Sequence, residues 1–210
     1  MAYPNNFPGT SLNDHSTNND ITDGVTIVKA ADIDNLNAGL DAVETKMGID
    51  GSTVTTSIDY LISRTVIQTV NTQDGAVATG TTQMPRDNTI PQSTEGTEFM
   101  TLAITPTSAT NKLLIEVVST FSYNYSTAIC GAIFQDSTSN ALAANVVSGG
   151  YMLPLTIKHY MTAGTTSSTT FKFRAGPELS SKTITFNGYG GTRHFGGVAA
   201  SSITITEIKV

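Results

Sequence analysis

The spacing of apolar side chains changes its period once along the chain. Between residues 30 and 47, Ile33, Leu36, Leu40, Val43 and Met47 recur at 3-4-3-4 intervals. That is the a/d ladder of a helix burying one narrow seam. The positions beside the seam are Asn37, Ala38, Asp41, Ala42 and Lys46. Asp32 stands in the first turn, where a carboxylate suits the helix dipole, and Gly48 is a natural stop. Packing against its own domain would give a similar helix, but two features favour association with other copies. The stripe is narrow, and the interior Gly39 costs about 1 kcal/mol, so a helix this short needs a partner. The β-branched Val43 at a d position leans towards three strands rather than two. Thr56-Ser57-Ile58-Asp59 then reads as a capping box opening a second short helix, with Val54, Ile58 and Leu61 apolar. Gly48 and Gly51 allow the register to reset between the two helices.

After Arg64 the pattern turns to period two. Strands are predicted over residues 66–70, 99–105, 112–123, 128–135, 141–147, 151–161, 169–174, 182–187 and 202–210, with a Pro- and Thr-containing loop over 79–98. The clearest is 112–123, which places Leu113, Ile115, Val117, Phe121 and Tyr123 on one face. Strands at this spacing predict a β-sandwich, with a jelly roll as the natural form. A strand running to the end of the chain suggests a C-terminus held within a sheet. Residues 1–28 show little periodicity. Tyr3, Pro4, Phe7 and Pro8 alternate aromatic rings with prolines that fix φ, as in an extended arm that either stays disordered or docks on another protein. The expected organisation is therefore an arm over 1–28, a helical stem over 29–65 and a β-sandwich head over 66–210.

Composition narrows the functions available. Charged residues are 13% of the 210, about half of the roughly 25% usual for soluble domains. The polar surface is instead built from Thr, Ser, Asn and Gln. A net charge of −6 with no cluster of Lys or Arg argues against nucleic-acid binding. The polar N-terminal segment resembles neither a secretory leader nor a membrane span. Cys130 stands alone in an apolar run, so an intrachain disulfide is excluded and a small buried hydrophobe is expected.

Catalytic and metal-binding constellations do not emerge. His15, His159 and His194 lack metal-ligand spacing, although three-fold symmetry could gather copies of His194 or Asp50 on an axis. Acidic residues in the β half form no evident pair for glycoside hydrolysis. Gly188–Gly191 lacks the Lys and helix of a phosphate loop, and no serine sits in a nucleophile elbow. The expectation is a non-enzymatic protein without cofactor or metal. The best surface candidate is the segment 189–195, Tyr-Gly-Gly-Thr-Arg-His-Phe, in which glycines let backbone approach a ligand. Candidate contact residues are Tyr123, Tyr125, Tyr189, Arg193 and His194; an ordinary connecting loop is the competing interpretation.

Two longer stretches carry a family resemblance. Residues 41–61, Asp-Ala-Val-Glu-Thr-Lys-Met-Gly-Ile-Asp-Gly-Ser-Thr-Val-Thr-Thr-Ser-Ile-Asp-Tyr-Leu, resemble a stem motif of tailed-bacteriophage fibre proteins. Tyr3-Pro4-Asn5 is similar to the opening of such proteins. Residues 90–100, residues 104–117 and the closing Ser-Ile-Thr-Ile-Thr-Glu-Ile-Lys resemble a head domain of phage fibres and related virion proteins. The resemblance implies a homotrimer on the virion surface: an arm anchored to another virion protein, a coiled stalk, and three jelly-roll heads similar to the tumour-necrosis-factor type. It implies a tail or baseplate fibre whose head contacts a host glycan or protein, or alternatively a head fibre or capsid decoration protein. Where many such proteins carry a His-containing segment directly before the helix, this chain has residues 21–28, so its anchoring surface is expected to differ.

Overall fold

A computed structural model describes residues 30–47, 58, 66–123, 127–149 and 151–210. The chain divides into two units, Met1–Thr65 and Val66–Val210. In the first, helix α1 spans Ala30–Met47, with Lys46 in its last turn. Thr45 donates its hydroxyl to the Asp41 carbonyl at 2.8 Å, a satisfied back-bond within the helix. Leu36, Leu40 and Met47 are each more than half exposed, and Val43 is half-buried. The seam therefore has no apolar cover among the described residues. Ile33 lies within α1, but its side chain is outside the described set, as are Val54, Leu61 and the arm residues Tyr3, Pro4, Phe7 and Pro8. Ile58 is helical and exposed.

The second unit is an antiparallel β-sandwich. Its strands are β1 (Val66–Asp74), β2 (Ala78–Gly80), β3 (Thr97–Ile104), β4 (Lys112–Tyr123), β5 (Ile129–Gln135), β6 (Ala143–Val147), β7 (Leu153–Thr162), β8 (Thr169–Pro177), β9 (Ile184–Phe186), β10 (Gly188–Tyr189), β11 (Thr192–Arg193) and β12 (Ser201–Ile208). The first sheet holds β1, β12, β4, β9, β2 and β7; the second runs β3-β8-β5-β6. Strand β4 organises the first sheet. It pairs with β7 along one side, and along the other with β12 over residues 112–118 and β9 over 121–123. Strands β9 and β12 thus run in one line, interrupted by residues 187–200. Their partners β2 and β1 form a second interrupted line.

Counting each interrupted line once and setting the β10–β11 hairpin aside leaves eight rows. In chain order they lie first-eighth-third-sixth in one sheet and second-seventh-fourth-fifth in the other. This interleaving is the jelly roll. The C-terminal strand is indeed interior, flanked by β1 and β4. Pro154 sits on β7, which pairs only with β4 within its sheet, so its missing donor leaves no gap in the ladder.

The inward residues of β4 are those the alternation predicts: Leu113, Ile115, Val117 and Phe121 are buried, and half-buried Tyr123 packs against them. They meet Ile203 and Ile205 of β12, Leu155 and Ile157 of β7, and Phe171 and Phe173 of β8. Phe99, Phe121 and Phe186 form an aromatic centre, with centroid distances of 5.0 to 5.2 Å.

Residues 81–96 were expected as part of a loop over 79–98. They form a strap over the outer face of β5, flanked by β2 and the start of β3. Met84 is fully buried there with Cys130, Ala132 and Phe134, so β5 is covered on both faces. The strap is tied by Met84 N–H to the Pro177 carbonyl (3.0 Å), by Arg86 to Glu178 (2.8 Å) and by Arg174 to the Glu95 and Gly96 carbonyls (3.0 and 2.7 Å).

Candidate functional site

The interruption between β9 and β12 is the irregular feature that stands out in the head. Ser122 faces away from the core, opposite to Phe121, yet is fully buried because residues 187–200 fold over that outer surface. Its hydroxyl donates to the Gly188 carbonyl at 2.6 Å. The chain leaves the sheet at Asn187, which is buried and adopts a φ of 54°, a left-handed conformation that asparagine tolerates better than most residues.

The Asn187 side chain closes the base of the excursion. Its amide donates to the carbonyls of Asp74 (2.6 Å) and Ala76 (3.1 Å), in the bend between β1 and β2. Its Oδ1 accepts from the Ser201 hydroxyl at 2.6 Å, where β12 resumes. Ser201 Oγ in turn accepts the Thr120 N–H at 3.1 Å, and the Asn187 N–H reaches the Thr120 carbonyl at 3.0 Å. Gly75 adds a close backbone approach: a Cβ there would collide with the Gly197 carbonyl oxygen. The excursion is therefore built on a fixed platform.

Above that base, β10 and β11 form a short hairpin with Tyr189 opposite Thr192 and Gly188 opposite Arg193. Gly190 and Gly191, at φ 58° and 79°, make its turn, and the Gly191 N–H is held by Thr185 Oγ1 at 3.0 Å. A row of aromatic rings lies along it. Tyr151 and Tyr189 have centroids 5.2 Å apart at 58°, and Tyr189 and His194 are 6.5 Å apart at 72°. His194 and Phe195 follow at 6.3 Å. Tyr151 is 74% exposed and Phe195 73%, and Val198 beyond them is 84% exposed. Phe195 also holds a φ of 50°, an unfavourable conformation for a bulky residue.

The sequence candidates fare differently. Tyr189 and His194 come together, joined by Tyr151, which lies in the loop before β7 rather than in the strand predicted over 151–161. Arg193, although next to His194 in sequence, does not join them: its register opposite Gly188 puts it on the other face of the hairpin from Tyr189 and Thr192. There it lies over Gly197, whose lack of a side chain leaves room for the guanidinium. Tyr123 has a supporting position, half-buried at the end of β4, its hydroxyl accepting the Gly149 N–H at 2.8 Å and so steadying the loop that carries Tyr151. Tyr125 lies outside the described residues. A tyrosine directly after Gly149-Gly150 was the available signal for Tyr151, since glycines beside an aromatic mark a loop as readily as a strand start.

Among the described residues no group of His, Cys, Asp or Glu is arranged to hold a metal ion. No helix among them is long and apolar enough to cross a membrane.

No family model matches the chain, and no curated protein is significantly similar to it. Solved structures give distant likenesses. The C-terminal domain of EclA, a sugar-binding protein, is 12% identical with a TM-score of 0.31, covering 52% of this chain and 73% of that one. The VP2 subviral particle of infectious bursal disease virus is 9% identical with a TM-score of 0.32, covering 70% of this chain and 38% of that one. The enzymatically active domain of bacteriophage CBA120 tailspike protein 4 is 14% identical with a TM-score of 0.27, covering 59% of this chain and 19% of that one. The chain thus spans well under half the length of these viral proteins. The likenesses concern the β-sandwich fold alone.

Proposed function

We propose that this chain is a trimeric fibre protein of a phage virion, attached to the tail or baseplate, whose jelly-roll head contacts the host surface. The observation that carries the reading is the exposed ladder on α1. Leu36, Leu40 and Met47 lie on one seam at coiled-coil spacing and are largely exposed in a single chain. Apolar seams of this kind are buried by copies of the same helix. The resemblance of residues 41–61 to a fibre stem supports the same reading, as does a head whose irregular excursion presents aromatic rings. The arm over 1–28 would anchor on another virion protein. The action is adhesion rather than catalysis: three weak contact sites on one tip gain avidity through effective concentration.

The test combines assembly with adsorption. Sedimentation of the full chain should give a trimer, and the purified protein should bind host cells and block infection by the parent particle. A monomer or dimer would sink the trimer. A trimer that neither binds cells nor competes would remove the adhesin role, and density on the capsid rather than the tail in a virion map would replace it with a decoration role.

A further inference from the structure

We infer that the ring row Tyr151, Tyr189 and His194 is a binding platform for a neutral saccharide of the host surface; this rests on the adhesin reading and names its ligand class. Aromatic faces pack against the C–H faces of pyranose rings, and three rings within 6.5 Å of their neighbours offer that surface. The space above the hairpin turn is open, since a Cβ built on Gly190 would meet nothing within 4 Å. The exposed Thr192, on the same face as Tyr189, supplies a hydroxyl within reach of sugar hydroxyls.

Two features make the platform more than an exposed apolar patch. First, it is held from below. Asn187 fixes the base, Thr185 the hairpin turn, and Tyr123 the loop bearing Tyr151. Side chains on fixed supports lose little entropy when a ligand arrives, which suits weak, repeated sugar contacts. Second, the charge is elsewhere. Arg193 is the single Lys, Arg, Asp or Glu among residues 187–200, and the hairpin register turns it to the opposite face. A carboxylated or phosphorylated sugar on the rings would find no Lys or Arg facing it from the hairpin, so the platform favours uncharged hexoses and hexosamines.

The test is a glycan array read with the full chain, carrying neutral oligosaccharides beside uronate- and sialate-bearing ones. Hits are then titrated against variants in solution. Neutral oligosaccharides should bind, Tyr189→Ala and Tyr151→Ala should each weaken them at least tenfold, and Tyr189→Phe should retain most affinity because the ring remains. Lys209→Ala, at the far end of the last strand, should match the wild type, and all variants should share its unfolding temperature within a few degrees. Absence of array binding by a protein that still adsorbs to cells would overturn the saccharide platform and leave the adhesin standing. Preference for acidic glycans, or binding insensitive to both tyrosines, would overturn it as well. Loss of cell adsorption with array binding intact would instead overturn the adhesin.

Discussion

The Ser201 hydroxyl donates to Asn187 Oδ1 at 2.6 Å, joining the residue where the chain leaves the first sheet to the residue where it returns. Both side chains are fully buried, and each has further partners: the Asp74 and Ala76 carbonyls for Asn187 and the Thr120 N–H for Ser201. One asparagine therefore meets two demands at once, a left-handed backbone and three side-chain hydrogen bonds. The two demands can be separated. Asn187→Ala loses both and should destabilise the head by about 3 kcal/mol, given roughly 1 kcal/mol per residue for the left-handed conformation and 1–3 for stranded buried partners. Asn187→Gly keeps the backbone freedom and should recover about 1 kcal/mol of that loss. Urea unfolding of the two variants checks the order; an alanine variant as stable as the glycine variant would show that the backbone conformation contributes nothing.

Gly75 makes the complementary prediction at the same base. A methyl group there collides with the Gly197 carbonyl, so Gly75→Ala should displace the turn that carries Phe195 and cost about 2 kcal/mol. Gly164, at φ 71° with open space around it, should cost only about 1 kcal/mol on the same substitution. Amide exchange would localise the effect: faster exchange across residues 187–200 in Gly75→Ala and unchanged exchange there in Gly164→Ala.

Much of the head was readable from alternation, and the reason is visible in β4. Its inner face is apolar at every second residue from Leu113 to Val117 and resumes at Phe121, so its limits and its buried side both follow from the sequence. Short paired segments were less legible. Strand β2 has only the residues Ala78–Gly80, too few to show a period, and it exists because β9 offers a partner. The aromatic row was half legible. Tyr189 and His194 share a short segment, but Tyr151 reaches them only through the pairing of β7 with β4, a relationship between distant segments. Arg193 was grouped with them by adjacency, and only the hairpin register separates it.

Glu207 gives the head a defined acid sensitivity. It is fully buried, yet its partners are neutral. Oε1 accepts from Asn111 Nδ2 (2.6 Å), the Thr107 hydroxyl and the Thr107 N–H (both 2.8 Å), and Oε2 from Gln68 Nε2 (2.6 Å). Burial pushes the carboxyl up, and these donors together outweigh it, leaving it at about 2 against an ordinary 4.5. A depressed folded value contributes stability that is complete above the unfolded value of 4.5 and is lost as pH falls towards about 2. The urea midpoint of the head should therefore fall across that window. Glu207→Gln should cost about 2 kcal/mol at neutral pH and flatten the decline; an equally steep decline in the variant would assign the acid sensitivity to other groups.

If the chain assembles as the proposed trimer, the stem predicts a division of labour within it. Leu36 and Leu40 lie four residues apart, at consecutive positions of the exposed seam, so replacing both by Asn should remove association through the helix. A seam of this length is too short to hold three chains alone, so the heads should carry most of the interface. The double variant should still sediment as a trimer at micromolar concentration but dissociate at lower concentration than the wild type. Complete conversion to monomer would place the main interface in the stem instead.

Met84 predicts how the strap behaves. Its side chain fills the outer face of β5 against Cys130, Ala132 and Phe134, under a segment that carries no long strand of its own. Burial pushes the Cys130 thiol up to about 11, with the Glu178 carboxylate adding to the shift and Arg86 opposing it. The native thiol should accordingly react slowly with an aromatic disulfide reagent at neutral pH. Met84→Ala removes the plug and should cost about 2–5 kcal/mol. If the strap opens as a local unit, Cys130 labelling in the variant should rise at least tenfold under conditions where circular dichroism still reports an intact sandwich. If labelling rises only in step with global unfolding, the strap and the sandwich form one cooperative unit, and Met84 belongs to the same core as Phe121 and Phe173.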